Sequence, residues 1–192
     1  MDIVLSFCAL ILFLPLFLII ALLIKLDDPR GRILYSQIRI GKKGRPFRMY
    51  KFRSMCTNAE AQLAEIKREN EISGPMFKMK EDPRITKIGK YLRKFSLDEF
   101  PQFINVIKGD MSLVGPRPPL EWEVLEYKGD DFKRLEIKPG ITGLWQVSLR
   151  NSTSFRGMLE LDLLYINNLS LKKDLLILVK TVKVVLFPNN AY

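Results

Sequence analysis

From Ile3 to Leu26 the chain is apolar almost without interruption, with Ser6, Cys8 and Lys25 its only polar side chains. At about 1.5 Å per helical residue this run is long enough to cross a bilayer core of about 30 Å. No basic segment precedes it and no small-residue cleavage site follows it, so it does not read as a removable signal peptide. Pro15, near the middle, removes a backbone hydrogen bond and favours a kink. Two geometries fit: a tilted single span, or a helix–break–helix that enters and leaves by one face. The residues alone favour the span, because kinked spans are common. Lys25, Arg30, Arg32, Arg39, Lys42, Lys43 and Arg45 follow at once. That cluster puts the rest of the chain on the cytoplasmic side, against anionic head groups.

Beyond residue 26 the pattern breaks into short periodic pieces. Ile33 to Ile40 is β-rich, Gly41-Lys42-Lys43-Gly44 is a basic turn, and Pro46 to Met55 is the expected return strand of a hairpin. Thr57-Asn58-Ala59-Glu60 is a capping box that opens a polar, peripheral helix to about Asn70, ended by Ser73-Gly74-Pro75. A basic helix is expected over Ile85–Phe95, and a second after Ser96–Gln102 with Phe103–Ile107 as its apolar centre. Val114-Gly115-Pro116-Arg117-Pro118-Pro119 reads as an ordered loop, Glu121–Tyr127 as a helix, Lys138–Gly143 as a turn and Trp145–Val147 as a short strand. Two helices, near Phe155–Asn168 and Lys172–Leu186, close the chain. In the last, Leu175, Leu178, Val179, Val182 and Leu186 share one face, with Lys172, Lys173, Lys180 and Lys183 on another. That suits either an interfacial membrane helix or a surface helix packed on the core. The expected fold is α+β and mainly α-helical: a membrane segment over 1–26, then a single domain over 27–192 with a small hairpin and amphipathic helices.

The 192 residues carry 31 basic and 21 acidic side chains, a net charge of +10, and no histidine. Without histidine the commonest general base and the commonest metal ligand are missing. Any chemistry must run on carboxylates, lysines, arginines or hydroxyls. The positive excess suits an anionic membrane surface or an anionic substrate. Nucleic acid ranks lower, since a membrane segment leads the chain and neither a zinc-finger nor an RRM signature is present. Cys8 lies in the apolar run and Cys56 in a basic stretch, so no disulfide is expected between them, and both suit a reducing cytosol.

Asp98 and Glu99, in Ser96-Leu97-Asp98-Glu99-Phe100-Pro101-Gln102, are the leading chemical candidates. Acids beside a helix start are commonly caps, Ser96-x-x-Glu99 fits a capping box, and Pro101 in a first turn would make Asp98 the cap. Taken alone, the pair reads first as a cap. Its setting adds a second reading, since helix starts also bind phosphates and carboxylates hold Mg²⁺ against pyrophosphate. An ionised aspartate can attack phosphorus while a neighbouring glutamate holds the metal. Arg93 lies one or two helical turns away and can grip an anionic group. Lys51 and Arg53 share a strand face that suits either solvent or phosphate. In Gly115-Pro116-Arg117-Pro118 stiff and permissive residues surround one arginine and suggest an aimed guanidinium. Arg150 is a further candidate anion contact, and Asp162 is either a partner for one of these arginines or merely exposed.

In this order, the stretches Tyr50-Lys51-Phe52-Arg53-Ser54-Met55, Ser96–Gln102, Asn105–Ser112, Val114–Pro118, Lys138–Gly143 and Trp145-Gln146-Val147 resemble the bacterial sugar transferases, the monotopic phosphoglycosyltransferases that load a phosphosugar onto a polyprenyl phosphate. The resemblance covers nearly the entire chain. It implies that Asp98 attacks the β-phosphate of a UDP-sugar, releases UMP and carries the sugar phosphate until undecaprenyl phosphate displaces it. It implies Mg²⁺ on Glu99, and basic contacts to the phosphates from Lys51, Arg93 and Arg117, with Arg53, Pro116 and Pro118 in the same motifs, and it matches Arg150 and Asp162 to family positions without fixing their roles. It also implies an N-terminal helix that is re-entrant and broken at Pro15, in place of a span, at the cytoplasmic face of a bacterial inner membrane. Where many members have Ser-Pro at the break and Gly before the later arginine, this chain has Leu14-Pro15 and Leu149-Arg150. The chain looks like the catalytic domain of larger members that initiate exopolysaccharide or capsule synthesis, so it is a naturally short form or a fragment. Two competitors are a membrane-associated metal-dependent phosphodiesterase or pyrophosphatase, and a non-enzymatic lipid-binding module.

Overall fold

A computed structural model describes residues 1–66, 79, 81–148 and 154–187. Helices α1 (Asp2–Leu12) and α2 (Leu14–Asp27) meet at Phe13 with a bend of 61°. No single helix among the described residues is long and apolar enough to cross a membrane, though the bent pair together has the length and composition. The bend fits both geometries offered by the residues, a broken span and a re-entrant pair. Pro15 does not kink a continuous helix; it falls in the first turn of α2. There its missing N–H would have had no intrahelical acceptor.

The bent pair is packed on the domain at both ends. The Ser112 hydroxyl donates to Asp2 Oδ2 at 2.6 Å, and the Ile88 N–H donates to Asp27 Oδ2 at 3.0 Å. Arg53 pairs with Asp28 just beyond α2. Ile20 and Ile24 are buried against Phe52 and Leu92, while Ile3, Phe7, Leu12, Leu18 and Leu22 on the other faces stay exposed.

Strands β1 (Leu34–Ile40) and β2 (Pro46–Phe52) form the expected antiparallel hairpin, paired from Leu34↔Phe52 to Ile40↔Pro46. Helix α3 (Ala59–Ile66) is the start of the expected polar helix; its continuation to Asn70 and the Ser73–Pro75 break lie outside the described residues. Helix α4 (Lys87–Lys94) is capped by the Thr86 hydroxyl, which accepts from Gly89 N. Gly89 is needed for packing: a Cβ there would stand 2.0 Å from the Ser54 carbonyl oxygen, so α4 can lie directly on the chain leaving β2. Helix α5 (Gln102–Lys108) ends at Gly109, whose φ of 85° is the left-handed C-cap.

The short strands β3 (Ser112–Val114) and β4 (Gly140–Thr142) pair in parallel, so the expected turn over Lys138–Gly143 contains a strand. Between them helix α6 (Glu121–Val124) is shorter than expected, and a 3-10 turn spans Gly129–Leu135. Trp145–Val147 is not a strand but part of helix α7 (Leu144–Ser148), its Val147 N–H donating to the Gly143 carbonyl. Three residues, Trp145-Gln146-Val147, are too few to tell strand alternation from a turn of helix. Helices α8 (Phe155–Ile166) and α9 (Leu171–Leu186) match expectation. On α9 Ile177 joins the core beside Tyr165 and Met111, yet Leu175, Val179, Val182 and Leu186 remain exposed. The helix thus packs on the core by one edge and turns an apolar stripe outward.

Candidate active site

Asp98 and Glu99 sit in a 3-10 turn (Leu97–Glu99) between α4 and α5, entered through Ser96 in the left-handed region at φ 55°. Ser96 makes no side-chain cap bond, and the N-cap of α5 is Pro101. The capping reading of the pair is therefore corrected: the chain turns too tightly at Ser96, and α5 begins too late, for either acid to cap it. The turn rests on apolar residues of the N-terminal pair. Leu97 and Phe100 pack with Ile20, Ile24, Phe52 and Leu92, and the Phe100 ring lies 5.1 Å from that of Phe13 at the bend.

Asn105 bolts α5 to β2. Fully buried, it donates to the Arg48 carbonyl at 2.8 Å and accepts from the Tyr50 N–H at 3.1 Å. The next residue of that strand is Lys51, whose ammonium donates to Glu99 Oε1 at 2.9 Å and stands 3.7 Å from Asp98 Oδ2. Asp98 is buried, and burial pushes its carboxyl above the ordinary range; Lys51 and Arg93 oppose this, while the Glu99 charge adds to it. Arg93, on α4, keeps its Nη1 buried with no hydrogen-bond partner among the described residues. Lys51, Arg93, Asp98 and Glu99 thus form one cluster. Arg53 does not join it: its guanidinium goes to the carboxylate and carbonyl of Asp28, so it ties the end of α2 to the hairpin.

A second cluster lies on the loop after β3. Arg117 makes a forked pair with the fully buried Glu123, at 3.2 Å to Oε1 and 3.0 Å to Oε2. Burial opposes the charge on Arg117, but Glu123 outweighs it and holds the guanidinium above its ordinary pKa, with Glu99 contributing. For Glu123, burial raises the pKa, yet Arg117 and the Leu120 N–H bring the net shift below the ordinary value. Pro116 and Pro118 flank Arg117 and are themselves buried. Asp162 is buried and accepts from Arg134 Nε at 3.0 Å and Nη2 at 2.7 Å. Of the two alternatives, exposed or paired, it is the paired one, though the arginine is Arg134, which was not among the candidates. Burial raises its pKa, and Arg134 opposes the shift. Arg150 lies outside the described residues.

Two arginines of this region were missed as site residues. Arg39 figures in the sequence only as one charge of a basic run, yet it is buried, and burial followed by Arg117 pushes its pKa down to about 9. The charges of Glu123 and Glu99 favour its protonated form. Arg134 sits in a 3-10 turn that carried no periodic signal. One sign was readable: Pro116, Pro118 and Pro119 supply carbonyls and no N–H, so a buried loop there needs donors from elsewhere.

No group of three or more metal-ligating side chains occurs among the described residues. The two adjacent carboxylates suit a hard cation of the Mg²⁺ kind, which takes one or two carboxylates and completes its shell with phosphate oxygens and water. The apolar hollow along Leu171, Leu175, Leu176 and Val179 is lined by α9 alone and includes no residue of either charged cluster.

The profile of the family described as bacterial sugar transferase matches residues 1–188. The galactosyl transferase CpsE of Streptococcus agalactiae serotype III is 52% identical over 162 residues, 84% of this chain and 36% of that protein. The undecaprenyl-phosphate galactose phosphotransferase of Salmonella typhimurium is 45% identical over 195 residues, 100% of this chain and 40% of that protein. The exopolysaccharide production protein ExoY of Rhizobium meliloti is 41% identical over 195 residues, 100% of this chain and 86% of that protein. The chain therefore spans 36% and 40% of the first two relatives and most of the third.

Proposed function

Because the chain belongs to the bacterial sugar transferase family, we propose that it moves a hexose-1-phosphate from a UDP-sugar to undecaprenyl phosphate, as the first membrane step of exopolysaccharide or capsule synthesis. The observation that carries this reading is the buried Asp98 carboxylate, with Lys51 bridging it to Glu99, on a turn that rests against the N-terminal helix pair. An Asp98 carboxylate oxygen attacks the β-phosphorus, forming an acyl-phosphate bond as the bond from that phosphorus to the bridging oxygen breaks and UMP departs. A phosphate oxygen of the lipid then attacks the same phosphorus. The bond to Asp98 breaks, and a diphosphate-linked sugar is left on the lipid.

Burial serves this chemistry. In a site poor in water, Lys51 and Arg93 act on the transferring phosphate more strongly than they would in bulk solvent. Arg93 Nη1, buried and unpartnered, has a donor to give to a phosphate oxygen. Arg117, held by Glu123, offers a third cation, and Asp162 supports it from behind through Arg134. Glu99 would hold Mg²⁺, which when bound supplies charge neutralisation for the diphosphate. Lys51 would then trade its bond to Glu99 for one to phosphate.

The N-terminal pair reads as re-entrant, with the domain on the cytoplasmic face of the inner membrane. Support comes from its two ends, both tied to one body through Asp2–Ser112 and Asp27–Ile88, and from the exposed apolar faces of α1, α2 and α9. Such a seat lets a lipid phosphate and a soluble donor meet at one aspartate.

The test is UMP release by the full chain from a panel of UDP-sugars, with Mg²⁺ and undecaprenyl phosphate. Release that depends on the lipid and is lost in Asp98→Asn is expected. Donor consumption without the lipid would point instead to a phosphodiesterase, and full activity in Asp98→Asn would defeat the covalent step.

A further inference from the structure

The loop Pro116-Arg117-Pro118-Pro119 is buried from end to end except at Arg117, and it has one backbone N–H to offer across its four residues. Its carbonyls are each taken by a donor from another part of the chain. The Pro116 oxygen accepts from Gly140 N at 2.9 Å, and the Pro119 oxygen from Ile40 N at 2.9 Å. The two between them accept from arginines: Arg134 Nη2 donates to the Arg117 oxygen at 3.0 Å, and Arg39 Nη1 to the Pro118 oxygen at 3.0 Å.

Both arginines are anchored in turn. Arg39 Nη2 donates to Gln37 Oε1 at 2.9 Å within β1. Arg134 is held by Asp162 on α8 and by the Tyr127 hydroxyl, whose pKa burial pushes up to about 12. A guanidinium is the side chain that can do this, since its planar fork serves several acceptors at fixed angles, whereas an ammonium is a single point. The expense is two cations kept out of water, against the buried carboxylates Glu123 and Asp162. A loop that needed only to be filled would not call for them.

We propose that Arg39 and Arg134 are positioning residues that fix the direction of the Arg117 guanidinium by gripping the two successive peptide carbonyls that follow its Cα, those of Arg117 and Pro118. Arg117 then meets an anionic group, a phosphate of the donor, as a pre-oriented cation and loses little freedom on binding. The proposal rests on the reading of the site as a sugar-phosphate transferase.

The test is a double-mutant cycle on the full chain in lipid nanodiscs, reading UMP release against UDP-sugar concentration together with thermal melting. Arg39→Lys and Arg134→Lys keep the charge and lose the fork. Each is expected to lower kcat/KM by about tenfold, mainly through KM, as a displaced binding group does. In an Arg117→Lys background, neither is expected to cost anything further, because the residue they orient is already altered. A plain loss of stability would instead stay additive in that background, and additivity, or unchanged kinetics in the single variants, overturns the proposal. Should Arg134→Lys fail to fold, Tyr127→Phe removes one anchor of Arg134 without stranding a charge. It is expected to raise KM by a smaller factor, and only when Arg117 is present. Full activity in Asp98→Asn would defeat the transferase reading alone, since the coupling among the three arginines is read from any UMP release. Additive losses would defeat the positioning role and leave the transfer standing.

Discussion

Asp98 and Asp162 are both buried, both pushed above the ordinary carboxylate pKa by that burial, and both set beside basic side chains. They are held differently. Asp162 accepts two hydrogen bonds from one guanidinium, whereas Asp98 has its ammonium at 3.7 Å, beyond hydrogen-bond length, while the same ammonium bonds Glu99 at 2.9 Å. The first arrangement immobilises a charge. In both acids one oxygen faces the cation, and Asp162 Oδ1 is itself buried without a partner among the described residues, so the difference lies in the cation: Arg134 is bonded to Asp162, whereas Lys51 is held off Asp98 and stays available to meet a phosphate. A buried acid that must react is kept loosely paired, and a buried acid that must hold is kept tightly paired.

Substitution to asparagine should separate the two most sharply. Asp98→Asn removes the nucleophile, and UMP release is expected to fall by about 10⁴-fold or more. The variant should fold, and at neutral pH it should melt above the wild type, because an ionised buried carboxyl has been removed while Lys51 keeps Glu99. Asp162→Asn is expected to do the reverse. Leaving Arg134 buried without its counter-charge should cost about 3 kcal/mol or more in denaturant unfolding, with transfer lost in proportion to the unfolded fraction. A loss of activity without loss of stability at Asp162, or the opposite pattern at Asp98, would break the comparison.

The pH dependence follows from the direction of the Asp98 shift. With its folded pKa above the ordinary 3.8, Asp98 holds more protons in the native state than in the unfolded chain. Its effect on stability is therefore most favourable at low pH and is lost as pH rises through the raised folded pKa. Asp98→Asn should remove that slope from a stability–pH curve. Over the same window transfer should switch on, so the acid limb of the kcat/KM profile is expected above the ordinary carboxylate value. A limb at or below 3.8 would contradict the burial effect. The smallest expected effect is at Arg53. Arg53→Gln breaks the tie to Asp28 and should lower the melting temperature while leaving the KM for UDP-sugar unchanged. A rise in KM would return Arg53 to the phosphate cluster.

Much of the fold was legible, because the apolar run, the β1–β2 hairpin, α4, α8 and α9 each carry a period or a punctuating residue over a sufficient length. The misreadings lie where length or distance defeats that logic. Pro15 was visible, but whether it kinks one helix or begins another depends on packing around Phe13 and Phe100. The strand expected at Trp145–Val147 was too short to show alternation. In the site, Asp98 and Glu99 stood out as neighbours, and Lys51, Arg93 and Arg117 as cations in distinctive settings. Arg39 and Arg134 did not, since each acts on a carbonyl far away in the chain and a backbone acceptor leaves no mark in a sequence. Arg53 misled for the opposite reason: strand alternation put it with Lys51, but its partner is Asp28 at the end of α2.

The central claim is that Asp98 becomes covalently loaded. Wild-type protein incubated with UDP-sugar and Mg²⁺, without the lipid, would be quenched and its intact and peptide masses measured. The account predicts a gain of one hexose phosphate, on the peptide carrying Asp98, that undecaprenyl phosphate discharges and Asp98→Asn lacks. Lipid-dependent UMP release with no adduct on the protein, or an adduct on another residue, would contradict it.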